Sequence, residues 1–212
     1  MAGMFITFEG GEGCGKSTQI KLLAEHLQQT GYEVLLVREP GGTAAGERIR
    51  EILLSKESDG LDPTAELLLY EAARAQITSE VIEPALERGC VVLCDRFFDS
   101  TIAYQGSGRG LDTAMIGKLN MIATGGLKPD LTLLLDIDVE KGLARAMSAT
   151  GGDGEGDRIE AAGIAFHERI RAGFAALAQA EPERIVCVDA SGSIDAISAQ
   201  IAACVDARLQ AR

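Results

Sequence analysis

The chain is short of positive charge. Twenty lysines and arginines stand against 32 aspartates and glutamates, a net charge of −12. This balance argues against a protein that tracks a nucleic-acid polymer, which needs a basic face. It still permits a small anionic ligand, because a pocket can be locally positive inside an acidic shell. No apolar run reaches the roughly 18 residues needed to span a membrane, so no membrane partner is expected. Nothing before the apolar run at Met4 has room for a signal peptide, and a cytoplasmic protein is expected. Cysteine is sparse too: Cys14, Cys90, Cys94, Cys187 and Cys204 form no C-x-x-C pair, and the two histidines, His26 and His167, lie far apart. That spacing argues against a zinc-type site and for reduced thiols.

What is present is a glycine-rich stretch set between two apolar segments. Phe8-Glu9-Gly10-Gly11-Glu12-Gly13-Cys14-Gly15-Lys16-Ser17-Thr18 fits G-x-x-x-x-G-K-[ST], with Gly10, Gly15, Lys16 and Ser17 on the fixed positions. Glycine lets the backbone turn where a Cβ would clash, so successive N–H groups from Gly10 to Thr18 can form a nest for phosphate oxygens. Lys16 adds a mobile charge for the β- and γ-phosphates, and Ser17 offers a hydroxyl to Mg²⁺. Four fixed positions match by chance in about one chain of this length in a hundred. Context narrows this: Met4–Phe8 reads as a buried strand, and Gln19–Leu27 has the apolar spacing of a helix whose positive end faces the same anion.

Further along, strands and helices alternate. Strands are expected at 33–37, 90–94, 131–136 and 184–189, and helices at 45–54, from 63, at 114–123, 139–148, 158–180 and 193–209. Alternation of this kind calls for an α/β fold: a five-stranded parallel sheet with helices on both faces, three αβα layers, in one unit spanning 1–212. The Gly-rich segment at about 148–158 has the composition of a flexible lid, or of an idle surface loop. Residues 99–110 suggest a short helix running into a Gly-rich loop.

Several side chains gather where such a sheet binds ligands, at the carboxyl ends of its strands. Arg38 follows the second strand and Asp95-Arg96 the third. Asp95 reads as a holder of Mg²⁺ or its waters, or else as a helix N-cap. Tyr70 and Arg74, four apart, share one helix face and could stack on and bond a flat base; spacing alone reads more often as a core tyrosine beside a surface arginine. Arg38, Arg74, Arg96, Arg109, Arg145 and Arg158 are more cations than one triphosphate needs, which points to a second anionic substrate and to phosphoryl transfer.

Taken together, the P-loop, Arg38-Glu39-Pro40-Gly41-Gly42, Tyr70-Glu71-Ala72-Ala73-Arg74, Asp95-Arg96-Phe97, Ala103-Tyr104-Gln105-Gly106, Lys128-Pro129-Asp130-Leu131-Thr132 and Asp157-Arg158-Ile159-Glu160 make the chain resemble bacterial thymidylate kinase, of the P-loop nucleoside monophosphate kinases. The resemblance implies transfer of the γ-phosphate of ATP to thymidine 5′-monophosphate (dTMP) with Mg²⁺, and a homodimer. It implies that Lys16, Arg96, Arg158 and Glu12 are catalytic. Gly10, Gly11, Glu12, Gly13, Cys14, Gly15, Lys16, Ser17, Thr18 and Arg145 would hold ATP, with Ser17 and Asp95 at the metal. Glu12, Arg38 and Arg96 would meet the sugar and phosphate of dTMP. Tyr70, Arg74, Thr101 and Gln105 would meet its base, and Tyr104 would lie under the deoxyribose. Two positions depart from the family pattern. Phe97 stands where Tyr or His is usual, and the segment 150–157 carries no arginine, leaving Arg145 and Arg158 at its edges. The alternatives are another nucleoside monophosphate kinase, a P-loop switch protein, and a member that binds nucleotide without turning it over.

Overall fold

The computed structural model describes residues 3–149, 158–159 and 162–211. Most of the expected lid, including all of 150–157, lies outside them.

Strand β1 (Met4–Glu9) is buried at every position, as a central parallel strand covered on both faces must be. It pairs in parallel with β3 (Val91–Asp95) on one side and β4 (Leu131–Asp136) on the other. β2 (Val34–Arg38) and β5 (Ile185–Asp189) form the edges, giving the order β2-β3-β1-β4-β5. From β1 the chain crosses to the edge at β2, returns through β3 and passes over β1 to β4 and β5, so the connections after β1 and β3 leave in opposite directions and the crevice between their carboxyl ends is the topological switch point.

Alternation along β1 splits its side chains between two cores. Met4, Ile6 and Phe8 face a core closed by α1 (Lys16–Gln29) and α9 (Ile194–Gln210), with Leu23, Leu27, Ile197 and Ile201. Phe5 faces the other way, toward α3 (Pro63–Ile77) and α4 (Glu83–Glu87), against Ile77, Ile82, Val92 and Phe97. Each such fully buried leucine or phenylalanine contributes roughly 1.5–3 kcal/mol of transfer free energy. Thr7 is buried yet polar, and its hydroxyl meets that of Thr132 at 2.8 Å. Thr132 continues to Asp99, which Arg184 grips through both terminal nitrogens at 2.7 and 2.9 Å. This network fixes α5 (Phe98–Thr101) against β4 and β5.

Helix ends follow their capping chemistry. Thr43 caps α2 (Ala44–Leu54), Asp62 caps α3 ahead of Pro63, Asp112 caps α6 (Thr113–Ala123), and Ser193 caps α9. α7 (Val139–Ala149) follows β4, and α8 (Ile164–Ala180) precedes β5.

Two expectations are corrected. The helix expected from residue 158 begins at Ile164, with Gly163 as its cap. The Gly-rich loop expected after α5 is helical instead: Ile102–Gly108 continues as a π-helix. Its small residues allow close packing, since a Cβ on Gly108 would press on the Phe166 ring of α8. Wide π turns re-aim side chains, and here Tyr104 and Gln105 both end up buried beside the crevice.

Candidate active site

The P-loop lies between β1 and α1, in the strand–loop–helix order that the sequence requires. Gly13 sits at φ +64° beneath α7, where any Cβ would overlap the Gly142 carbonyl. Gly15 adopts φ +93° as the N-cap of α1. Lys16 folds back over the loop, its Nζ donating to the carbonyls of Gly11 at 2.9 Å and Gly10 at 3.2 Å. Ser17 Oγ donates to Asp95 Oδ2 at 3.1 Å, joining the first turn of α1 to the end of β3. These two groups are hard oxygen donors beside the phosphate loop, and they fit Mg²⁺.

Two cavities open on this edge of the sheet. One, of about 1190 Å³, is lined by Gly13, Gly15, Lys16, Ser17, Thr18, Arg38, Asp95 and Arg145 among others. The second, of about 710 Å³, is lined by Tyr70, Arg74, Phe97, Thr101, Tyr104 and Gln105 among others. Glu12, Glu39, Arg50 and Arg96 line both, so the cavities meet end to end.

Arg96 is the centre of that junction. Among the described residues it is the one non-glycine with positive φ, +69°. A β-carbon in this region is strained and persists where surrounding contacts over-determine it. They do so here. Its Nη1 donates to Gly10 O at 3.0 Å and Ser100 Oγ at 3.2 Å, and its Nη2 to Glu12 Oε1 at 2.8 Å. The guanidinium also lies over the Tyr104 ring, 4.9 Å from its centroid. Buried Glu9 braces the turn from below, accepting from the N–H of Phe97 at 2.8 Å and of Ser100 at 3.2 Å.

Burial pushes Glu9 up, the nearby Asp99 adds to this, and together they outweigh Ser100 and Arg96 to place its carboxyl at about 7. Glu12 behaves in the opposite way. Burial would raise it, but Arg96, then Lys16, and the Tyr104 hydroxyl 2.6 Å away hold it at about 2. An ionised carboxylate therefore stands where the two cavities join.

The second cavity differs from the simplest reading of the spacing of Tyr70 and Arg74. Tyr70 is half-buried in the cavity wall, and Arg74 is the buried member, 1% exposed. It makes four hydrogen bonds to protein acceptors and one further close ion-pair contact. Nε and Nη2 lie 2.9 Å from Glu39 Oε2, Nη1 serves Glu71 at 2.9 Å and Asn120 at 3.0 Å, and Nη2 also reaches Phe97 O at 3.2 Å. Any bond from Arg74 to a ligand must share or displace one of these. The Thr101 hydroxyl is buried with no partner among the described residues. The Phe97 ring packs edge-on against Phe5 at 4.9 Å and under Arg74 at 5.5 Å, so this position is hydrophobic core.

The two edge arginines part company. Arg145 lines the first cavity, beside the P-loop, and donates to Ala190 O at 3.1 Å. Arg158 turns away: it donates to Leu53 O at 3.1 Å and to the Glu66 carboxylate at 2.5 Å, while its neighbour Ile159 lines the second cavity. The buried carboxylate of Glu66 draws it there. Arg38 is half-exposed and paired with Glu47 at 2.9 Å, at the rim of the first cavity. Sequence reasoning did not single out Arg50, Glu39, Glu66, Glu9 or Asn120. Glu9 and Glu39 stand within the P-loop stretch and the loop motif after β2, but no local pattern marks Arg50, Glu66 or Asn120.

A family profile described as thymidylate kinase matches residues 8–201. The chain belongs to the thymidylate kinase family. It is 52% identical over 210 residues to the thymidylate kinase of Geotalea daltonii, with 98% of each chain covered. It is 55% identical over 208 residues to that of Synechococcus sp. (strain JA-3-3Ab), again with 98% of each covered. The crystal structure of thymidylate kinase from Ehrlichia chaffeensis superposes with a TM-score of 0.80 at 34% identity, covering 97% of this chain and all of that one. The fold is that of the family, and the chain is a nucleotide-phosphorylating enzyme with a nucleotide as phosphoryl donor.

Proposed function

We propose that this enzyme transfers the γ-phosphate of ATP to dTMP, giving dTDP and ADP, with Mg²⁺ bound at Ser17 and Asp95. The observation that carries the reading is the shared wall of two cavities, Glu12, Glu39, Arg50 and Arg96. It allows two anions to lie end to end.

The chemistry asks little covalent help from the protein. An oxygen of the acceptor phosphate forms a bond to the γ-phosphorus as the bond to the β–γ bridging oxygen breaks. The backbone amides of Gly13–Thr18 and Lys16 hold the donor phosphates. Arg96 and Arg50 face the acceptor phosphate, with Arg38 at the rim. A metal ion, when bound, offsets charge on the donor phosphate oxygens. Glu12, fixed by Arg96 and Tyr104, presents an acceptor-only carboxylate suited to a deoxyribose hydroxyl. Thr101 and Gln105 face the base, and Tyr70 supplies a ring for stacking. Arg145 sits where it can meet the donor nucleotide.

We place the enzyme in the cytoplasm, acting as one unit over residues 1–212 and as a homodimer. Exposed apolar side chains on the neighbouring helices α2, α3 and α6 (Ile52, Leu68, Met115 and Ile122) support the dimer. No helix of the described residues is long and apolar enough to cross a membrane.

A coupled ADP-release assay over deoxythymidine, deoxyuridine, cytidine and guanosine monophosphates tests the reaction. The expected result is fastest turnover with dTMP. A better acceptor than dTMP defeats the assignment. Phosphoryl transfer to no monophosphate points to a switch protein or a silent member.

A further inference from the structure

Glu66 lies outside the motifs and lines neither cavity, yet it is 1% exposed and gathers three partners from distant parts of the chain. Its Oε1 accepts from Gln105 Nε2 at 2.8 Å and Arg109 Nε at 3.3 Å. Its Oε2 accepts from Arg109 Nη2 at 3.2 Å and Arg158 Nη2 at 2.5 Å. Burial alone would raise this carboxyl, but Gln105, Arg158 and Arg109 outweigh it and hold it below the ordinary range. It is therefore ionised and can only accept hydrogen bonds.

That restriction has a consequence for Gln105. A primary amide has a donor end and an acceptor end, and an acceptor-only neighbour compels the NH₂ to face it. Gln105 is 2% exposed and lines the base cavity, so with its NH₂ fixed on Glu66 its carbonyl is the end left for a ligand. A carbonyl there accepts from a pyrimidine whose ring N3 carries hydrogen, as in thymine and uracil. Opposite the ring nitrogen of cytosine, which is itself an acceptor, it is repelled.

We propose that Glu66 is a positioning residue for base selection. By locking the Gln105 amide, it makes the site accept N3–H pyrimidines and refuse cytosine. Arg109 and Arg158 keep Glu66 charged, and Arg158 ties this lock to the backbone of α2 at Leu53. The inference rests on the proposed dTMP reading of the same cavity.

The test is kcat/KM for dTMP, dUMP and dCMP in the wild type, Glu66→Gln, Glu66→Asp and Gln105→Leu, with thermal melts alongside. In Glu66→Gln the amide is free to turn. The dTMP-to-dCMP ratio should then fall about tenfold or more, the worth of one well-placed hydrogen bond and its repulsive counterpart. The dTMP-to-dUMP ratio and the KM for ATP should stay within twofold. Glu66→Asp, which keeps the carboxylate, should recover part of the discrimination. A purely structural role lowers the melting temperature and slows all three acceptors alike, and that result overturns the proposal. So does an unchanged dTMP-to-dCMP ratio in Glu66→Gln while Gln105→Leu loses it; the dTMP reading then survives. A wild type that does not prefer dTMP over dCMP removes the reading beneath, and the proposal with it.

Should Glu66→Gln fail to fold, side-chain amide NMR on the wild type decides the matter. The Gln105 NH₂ protons should be unmoved by dTMP while its carbonyl carbon shifts. Movement of the NH₂ protons instead places the donor end on the base and refutes the lock.

Discussion

Glu12 and Arg96 meet at 2.8 Å across 84 residues of sequence, one in the P-loop and the other in the turn after β3. Neither charge has another full counter-charge at hydrogen-bond distance among the described residues. The pair stands where the two cavities join, so each partner is pre-oriented before any substrate arrives. Pre-orientation of charge is the main resource of phosphoryl-transfer enzymes.

Arg96→Ala should therefore separate the two substrates. Acceptor kcat/KM should fall by roughly 10²-fold or more, since one well-placed arginine can be worth about 10³–10⁵ in rate. Binding of ATP, measured by calorimetry or a fluorescent analogue, should change little, because the amides and Lys16 remain. Equal loss of both affinities would show that Arg96 acts by holding the P-loop through Gly10 rather than by gripping the acceptor.

The buried carboxylates set an unusual pH dependence of stability. Glu12 is depressed to about 2 from 4.5, so its contribution is present above about 4.5 and is lost as pH falls toward 2. That shift corresponds to about 3 kcal/mol. Glu9 is raised to about 7, so its contribution is fully present below about 4.5 and is lost as pH rises through 7. Urea unfolding across pH 3–8 should find greatest stability in mildly acidic buffer. Burial raises Glu39 to about 7 as well, so Glu9→Gln, which keeps the acceptor for Phe97 N–H, should remove part of the slope between about pH 5 and 8 and leave the share of Glu39. An unaltered slope would mean that another group carries it.

The Ser17–Asp95 contact predicts the response to metal. Asp95→Asn should raise the Mg²⁺ concentration for half-maximal activity by about tenfold or more, and Ser17→Ala should do so more mildly. Neither should alter dTMP binding without metal, measured by calorimetry in a chelator. Weakening of dTMP binding there would mean that the contact serves the acceptor site.

Thiol chemistry should report occupancy of the P-loop. Cys187 is exposed and Cys14 is buried, so a maleimide should label Cys187 first and Cys14 slowly, as the loop opens. ATP should slow Cys14 labelling several-fold and leave Cys187 unaffected. Peptide mass spectrometry over a time course checks both, and a Cys14 rate indifferent to ATP would show that the loop does not close over the nucleotide.

The sequence by itself determined the alternation of strands and helices, the P-loop and its place between β1 and α1, and the set of arginines and carboxylates near strand ends. These are local matters: apolar periodicity, turn-forming glycines and helix caps act within a few residues of themselves. Even the winding order was constrained, because parallel crossovers have one hand.

Tertiary structure alone decided which charges meet. Spacing placed Tyr70 and Arg74 on one helix face but could not show that Arg74 is the buried one, held by Glu39, Glu71 and Asn120 from three elements. Composition put Arg158 at the edge of a lid, and only the fold could turn it toward Glu66, 92 residues away in sequence. Burying a charge is unfavourable until a partner arrives, and the partner's distance along the chain carries no sequence signal. The phosphate cradle could be read from the chain because one short segment builds it. The proposed base pocket could not, because six separate stretches, from Glu12 to Ile159, close it.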